Sequence, residues 1–113
     1  WNRREFDRHI GGPLLIKWSG HYLVGGRKSD QDLVGDRGPK TTLYWLNKDA
    51  EDAEGLLTEF AELPSGGDNS YPGFLELSPT KAAVSWYSSH EKNEAGEEIT
   101  AIYMADLEIK NAK

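Results

Sequence analysis

The 113-residue chain has no cysteine, no apolar run long enough to span a membrane and no stripe of basic residues. Without cysteine, neither disulfide bonds nor thiolate metal sites can form. A membrane-spanning helix needs about 20 mainly apolar residues, which this sequence does not offer. The net charge of −6 argues against nucleic acid as a partner, because binding to phosphates depends on clustered Lys and Arg.

The sequence also lacks the signals of a metal site and of a phosphate-binding loop. The three histidines, His9, His21 and His90, do not have the spacing of a metal site. The glycine pairs Gly11-Gly12 and Gly25-Gly26 lack the strand-to-helix context of a phosphate-binding loop. The sequence therefore predicts neither a bound metal nor a cofactor.

The sequence contains many short segments that favour β-strands. Composition favours a helix only within Ala50–Leu63, but Gly55 inside this range and Pro64 directly after it oppose one. We therefore predict a loop over Lys48–Gly55 and then a strand. Seven segments rich in aromatic and branched residues are separated by turn-forming residues, and the chain is predicted to be all-β. The segments are Leu14–Trp18, His21–Gly26, Thr41–Leu46, Leu56–Leu63, Phe74–Leu77, Ala82–Tyr87 and Ile99–Leu107.

The strand pattern repeats at about 60 residues. Leu14-Leu15 aligns with Phe74-Leu75, Leu23-Val24 with Ala83-Val84, and Leu43-Tyr44 with Ile102-Tyr103. Such a period fits four-stranded propeller blades, with a complete unit at 8–63, a second at 64–109 lacking one strand, and a tail at 110–113. A seven-stranded sandwich is the alternative. The blade interpretation leads us to expect the C-terminal part of a longer protein whose other blades pack against this one.

The segment GGDNSYPGFLELSPTKAAVSWY, at 66–87, followed by AIYMADL, resembles the last blade of sialidases. In that family a Gly-Asp-x-x-Tyr segment leads into a strand, and a turn and two more strands follow. The stretch from Arg8 through Pro13 to Arg27 is similar to another sialidase blade start. The resemblance implies a six-bladed β-propeller glycoside hydrolase that acts on glycans with an acidic sugar, and it leaves open whether the protein is secreted or periplasmic.

If the resemblance holds, Tyr71 is the nucleophile. Sialic acid carries a carboxylate at its anomeric carbon, so a neutral phenol avoids the repulsion that a carboxylate nucleophile would meet. Sialidases are an exception to the two-carboxylate glycosidase scheme. The family binds the substrate carboxylate with arginines, for which Arg27 is the first choice, followed by Arg8 and Arg37. Further expected pocket residues are Asp68, His90 and Glu91.

Other interpretations remain open. Tyr71 could instead be a packing residue where its strand begins, Asp68 a turn former, and His90-Glu91 a polar loop end. The Asp-box of sialidase blades is absent after Leu46, where the chain continues Asn47-Lys48-Asp49-Ala50. That absence favours a rival class, a propeller module that binds glycan or protein without catalysis. The acid/base aspartate and the activating glutamate of the family would lie outside this chain.

Overall fold

The computed structural model describes residues 10–28, 40–66 and 68–110, most of which lie in β-strands. All seven predicted strands are present, and Ala50–Leu63 is not a helix, since only a 3-10 turn, Ala53–Gly55, precedes the strand there. Nothing in these ranges is a helix of the length and apolarity needed to cross a membrane. The strands are β1 Ile10–Trp18, β2 His21–Lys28, β3 Thr41–Leu46, β4 Leu57–Glu62, β5 Ser70–Ser78, β6 Lys81–Lys92 and β7 Glu98–Glu108.

The strands form two antiparallel sheets in which sequence neighbours pair. The first sheet has the order β1-β2-β3-β4 and the second the order β5-β6-β7. Ser19 and Gly20 connect β1 to β2 with φ values of 55° and 79°, and this two-residue turn with positive φ matches the twist of antiparallel strands. Two separate meanders are therefore confirmed, and no strand of one unit is interleaved in the sheet of the other.

The two sheets are stacked one on the other, and an apolar core lies between them. Trp18, Leu23 and Leu43 from the first sheet are buried against Val84 and Trp86 from the second. Each tryptophan also has a partner for its indole N–H, which is the requirement for burying it. Trp18 Nε1 donates to the Ser78 carbonyl at 3.1 Å, and Trp86 Nε1 donates to the Pro64 carbonyl at 2.9 Å.

The two sheets are stacked in the same sense, which means that equivalent faces point the same way and do not meet in the core. Val84 faces the first sheet, whereas its equivalent in β2, Val24, lies on the far side of its own sheet in a second cluster with Tyr44 and Leu57. Equivalence follows from pairing, because Val24 and Val84 each lie two residues before the residue opposite a matching irregularity, which is Gly26 in β2 and Trp86 in β6. One sheet thus presents its front to the back of the next.

The pairing also corrects the alignment of the repeats. Leu15 corresponds to Phe74 and not to Leu75, because β5 contains an additional irregularity between Glu76 and Ser78. Tyr44 corresponds to Ala105 and not to Tyr103, since each lies opposite the equivalent valine of the central strand. The alignment of Leu23-Val24 with Ala83-Val84 agrees with the pairing.

Matching β-bulges occur near the start of β1 and of β5. Gly12-Pro13 lies opposite the single residue Gly26, and Tyr71-Pro72 lies opposite Trp86. The first bulge residue has a φ of 55° in Gly12 and of 53° in Tyr71. The left-handed region is open to glycine and costs other residues about 1 kcal/mol or more. The second unit therefore places a tyrosine where the first unit uses glycine.

Gly26 is the glycine that this bulge most requires. Its φ is 156°, and an added Cβ would overlap the Ile10 side chain and lie 2.8 Å from the Gly11 carbonyl oxygen. We expect Gly26→Ala to lower the free energy of unfolding by about 3 kcal/mol, because strain and overlap both act. Gly20→Ala, whose φ is 79° and which has open space, should lose only about 1 kcal/mol. Chemical denaturation of both variants measures the difference, and equal losses would contradict the bulge geometry.

Candidate functional site

Four side chains from both sheets meet at one end of the molecule. Arg27 lies near the end of β2, Asp68 precedes β5, Tyr71 lies in the β5 bulge, and Tyr87 lies in β6. The sheet pairing makes Arg27 and Tyr87 equivalent, because Gly11 lies opposite Arg27 and Ser70 opposite Tyr87. The cluster is thus built from corresponding positions of the two units, and it contains the predicted Tyr71, Arg27 and Asp68.

Arg27 is held across the junction of the two sheets. Its Nη1 donates to the Asn69 carbonyl at 3.1 Å and lies 3.8 Å from the Asp68 carboxylate. The guanidinium packs over Gly11, where an added Cβ would lie 2.8 Å from Nη2. About a third of the Arg27 side chain is exposed, so the guanidinium remains accessible to a ligand carboxylate.

Tyr71 projects into solvent from a strained backbone. The residue is 70% exposed, and its ring stacks on Tyr87 with centroids 5.9 Å apart. Ser70 and Tyr71 have φ values of 153° and 53°, so two successive non-glycine residues lie in the region that favours glycine. Such strain costs of order 1–3 kcal/mol per residue and persists only where the surroundings impose it. Within the described ranges, the Tyr71 hydroxyl makes no hydrogen bond.

The surroundings that impose this conformation are two buried polar residues. Ser70 Oγ donates to the Gly11 carbonyl at 2.8 Å, which joins β5 to β1. Thr41 Oγ1 donates to Asn69 Oδ1 at 2.5 Å, which joins the segment before β5 to β3. Asn69 and Ser70 are both fully buried. They lie between the exposed Asp68 and Tyr71 and hold that backbone to the first sheet.

Asp68 contacts Tyr87 as well as Arg27, and so connects the second sheet of the cluster to the first. The Tyr87 hydroxyl donates to Asp68 Oδ1 at 2.6 Å. This hydrogen bond, together with some desolvation, raises the pKa of Tyr87, and the Arg27 charge opposes the rise. Tyr87 therefore keeps its proton more firmly than an ordinary tyrosine and acts as a donor to Asp68.

His90 and Glu91 belong to a different group of residues. The expectation that β6 ends before them is wrong, because the strand continues to Lys92 through pairing with β7. His90 Nδ1 lies 2.6 Å from Ser88 Oγ, and the His90 ring is 4.8 Å from that of Tyr103. Burial, and then the nearby Glu91 carboxylate, raise the pKa of Tyr103. In the part of the chain that the structure describes, no hydrogen bond or ring contact connects His90 or Glu91 to Tyr71 or Arg27.

Two predicted arginines, Arg8 and Arg37, lie outside the described residues. Tyr87 was not predicted, although its equivalence to Arg27 in the repeat is a signal that could have revealed it. The described residues contain no group of three His, Asp or Glu side chains that could hold a metal ion. Trp86 is 4% exposed, so its ring packs in the core and is not available for stacking on a sugar.

Comparison with known proteins adds no relative. No family model, no curated protein and no solved structure matches the chain.

The hydrogen bond between Tyr87 and Asp68 is open to direct measurement. Asp68→Asn should lower the pKa of one tyrosine, because a neutral amide stabilises the protonated phenol less than a carboxylate does. Ultraviolet titration of tyrosinate measures this, with Asp49→Asn, an exposed aspartate in a distant turn, as the control. A raised tyrosine pKa adds stability below the unfolded value of 10.0 that is lost as pH rises through the folded pKa. Identical titration curves for Asp68→Asn and the unmodified chain would contradict the assignment.

Proposed function

We propose that the chain forms two consecutive blades of a sialidase-like β-propeller. Same-sense stacking supports this proposal, since successive blades of a propeller pack front to back around an axis. The strands β1 and β5 run side by side in the same direction, with the Ser70–Gly11 contact at one end and the Trp18–Ser78 contact at the other. They are the first strands of their sheets, as the innermost strands of neighbouring blades would be.

The outer face of the second sheet supports further blades. Four large apolar side chains on it are 60–75% exposed, and isolated monomers rarely leave such contiguous patches open. In the first sheet, the equivalent face is the one that the second sheet covers. A third blade stacked in the same sense would bury these side chains, which are Leu75, Leu77, Ile102 and Met104.

The function that this geometry favours is hydrolysis of an acidic-sugar glycoside, with Tyr71 as nucleophile and Arg27 as a carboxylate-binding residue. The observation that carries the proposal is the exposed Tyr71 hydroxyl, held by strained backbone at the junction where Arg27 is accessible. A substrate carboxylate would replace Asp68 beside Arg27. That replacement costs little, because the ion pair is long and exposed.

The chemistry requires partners from outside this cluster. The Tyr71 oxygen would attack the anomeric carbon while a carboxylate base takes the phenol proton. The glycosidic C–O bond breaks, and an acid protonates the departing oxygen. The base and the acid would come from further blades, because within the described ranges the Tyr71 hydroxyl has no hydrogen-bonded carboxylate.

A second candidate function is glycan binding without turnover. The stacked rings of Tyr71 and Tyr87 form an exposed aromatic surface, and Asp68 provides an acceptor beside it. Aromatic faces flanked by hydrogen-bonding groups suit sugar rings, which have apolar faces and polar edges. This candidate needs no base beside Tyr71, and within the described part of the chain the Tyr71 hydroxyl has none hydrogen-bonded to it.

Substitutions of Tyr71 and Arg27 separate the two functions in the complete protein. For hydrolysis, we expect Tyr71→Phe to reduce kcat at least about 100-fold while folding is unchanged, because only the attacking oxygen is lost. Arg27→Lys should mainly raise KM for a carboxylated sugar, since Lys lacks the planar fork. Tyr22→Phe, far from the cluster, is the control.

A trapping experiment tests the covalent step itself. A fluorinated sialoside that accumulates the glycosyl-enzyme should leave an adduct on Tyr71, detectable by peptide mass spectrometry. An adduct on another residue, or full activity in Tyr71→Phe, would refute the nucleophile assignment. Binding of sialic acid with neither adduct nor turnover would favour the non-catalytic function.

A further inference from the structure

The second sheet leaves one long strand edge and an apolar groove next to each other. In the first sheet, β3 pairs with β4 on its outer side. The corresponding strand of the second sheet, β7, pairs with β6 alone among the described strands. It is 11 residues long, and an unpaired edge of this length is a template for pairing with another strand.

The groove lies where a fourth strand of the second sheet would run. It has a volume of about 370 Å³ and is bounded by Trp45, Phe60 and Ala61 from the first sheet and by Leu107, Glu108 and Ile109 from the end of β7. The rings of Trp45 and Phe60 stack with centroids 4.6 Å apart and form an apolar wall. Because the first sheet has four strands and the second three, these rings extend beyond the cover that β7 provides.

The exposed side chains of β7 give the edge a single sign of charge. Glu98, Asp106 and Glu108 are exposed, and β7 contains no Lys, Arg or His. Lys92 and Lys81 lie opposite Glu98 and Glu108, but they belong to β6, on the paired side of β7. Two copies of this edge would bring like charges together, which disfavours pairing of the chain with itself. A strand with basic side chains would place opposite charges beside Asp106 and Glu108.

We propose that β7 binds an extended segment of a partner protein with alternating apolar and basic side chains, which adds to the second sheet as a fourth, antiparallel strand. Residues opposite Ala105 and Leu107 would point into the groove against Phe60 and Trp45, because both β7 side chains face the first sheet. Residues opposite Met104 and Asp106 would point away and carry the positive charge. Main-chain hydrogen bonds would supply affinity, and the groove would supply specificity.

A synthetic peptide tests this directly on the full chain. The probe is acetyl-Lys-Val-Lys-Phe-Lys-Val-Lys-amide, and its control replaces the central Phe with Pro, which keeps the charge but removes a backbone donor. Calorimetry should show at least about tenfold weaker binding for the control, since a single strand depends on its ladder hydrogen bonds. Hydrogen exchange should slow in β7 when the probe binds.

Two pairs of variants locate the binding surface. Glu108→Lys should weaken binding at least about threefold, because an opposite-charge pair becomes a like-charge pair, whereas Glu94→Lys in the exposed turn before β7 should have little effect. Phe60→Ser should weaken binding by removing the groove wall, with Leu75→Ser on the opposite face of the second sheet as the control. If Phe60→Ser does not fold, the comparison of Glu108→Lys with Glu94→Lys alone tests where the probe binds.

Several results would overturn the proposal. These are no binding of the probe at millimolar concentration, equal binding of the proline peptide, or equal effects of Glu108→Lys and Glu94→Lys. A concentration-dependent dimer that Glu108→Lys alters would assign the edge to a second copy of the chain instead. The proposal does not depend on glycoside hydrolysis, so either one can fail while the other stands.

Discussion

The contact between β1 and β5 determines the arrangement of the rest of the structure. These two strands belong to different sheets and run side by side, with Ser70 Oγ bonded to the Gly11 carbonyl at one end and Trp18 Nε1 to the Ser78 carbonyl at the other. Between these ends, Pro72 approaches so closely that a Cβ on Gly25 would lie 3.1 Å from its ring. Two attachments about a strand length apart set both the distance between the sheets and their relative direction.

The same contact explains why the backbone is strained where Tyr71 is displayed. Ser70 must turn inward to reach β1, while the next residue begins the bulge and points outward. In the first unit, Gly12 takes the corresponding conformation without cost, but here a tyrosine takes it. A glycine at this position would adopt the same backbone conformation with less strain, but it would present no side chain. The tyrosine thus occupies this position despite a local conformational cost, which is the pattern expected where a side chain has a function beyond packing.

Most of the fold could be predicted from local sequence signals, whereas the features that define the site could not. Apolar segments and turn residues identified all seven strands, because those signals act over a few residues. The start of β5 at Ser70 and the continuation of β6 to Lys92 depend on pairing with distant strands, and these bounds were missed. Arg27 and Tyr71 could be associated through the repeat. The repeat also makes Tyr87 equivalent to Arg27, but the hydrogen bond from Tyr87 to Asp68 has no sequence signal, because it joins β6 to the segment before β5.

The repeat gives equivalent positions different chemistry. Arg27 and Tyr87 occupy the same place in their sheets, yet one is a cation and the other a neutral donor, and Asp68 lies between them. Asp68 is shared because the segment before β5 passes close to Arg27 of β2 and to Tyr87 of β6. Its hydrogen bond raises the pKa of Tyr87, and its charge offsets that of Arg27. Because Asp68 Oδ1 makes both contacts, the ion pair with Arg27 and the hydrogen bond from Tyr87 depend on one carboxylate position, and a change at either partner acts on the other.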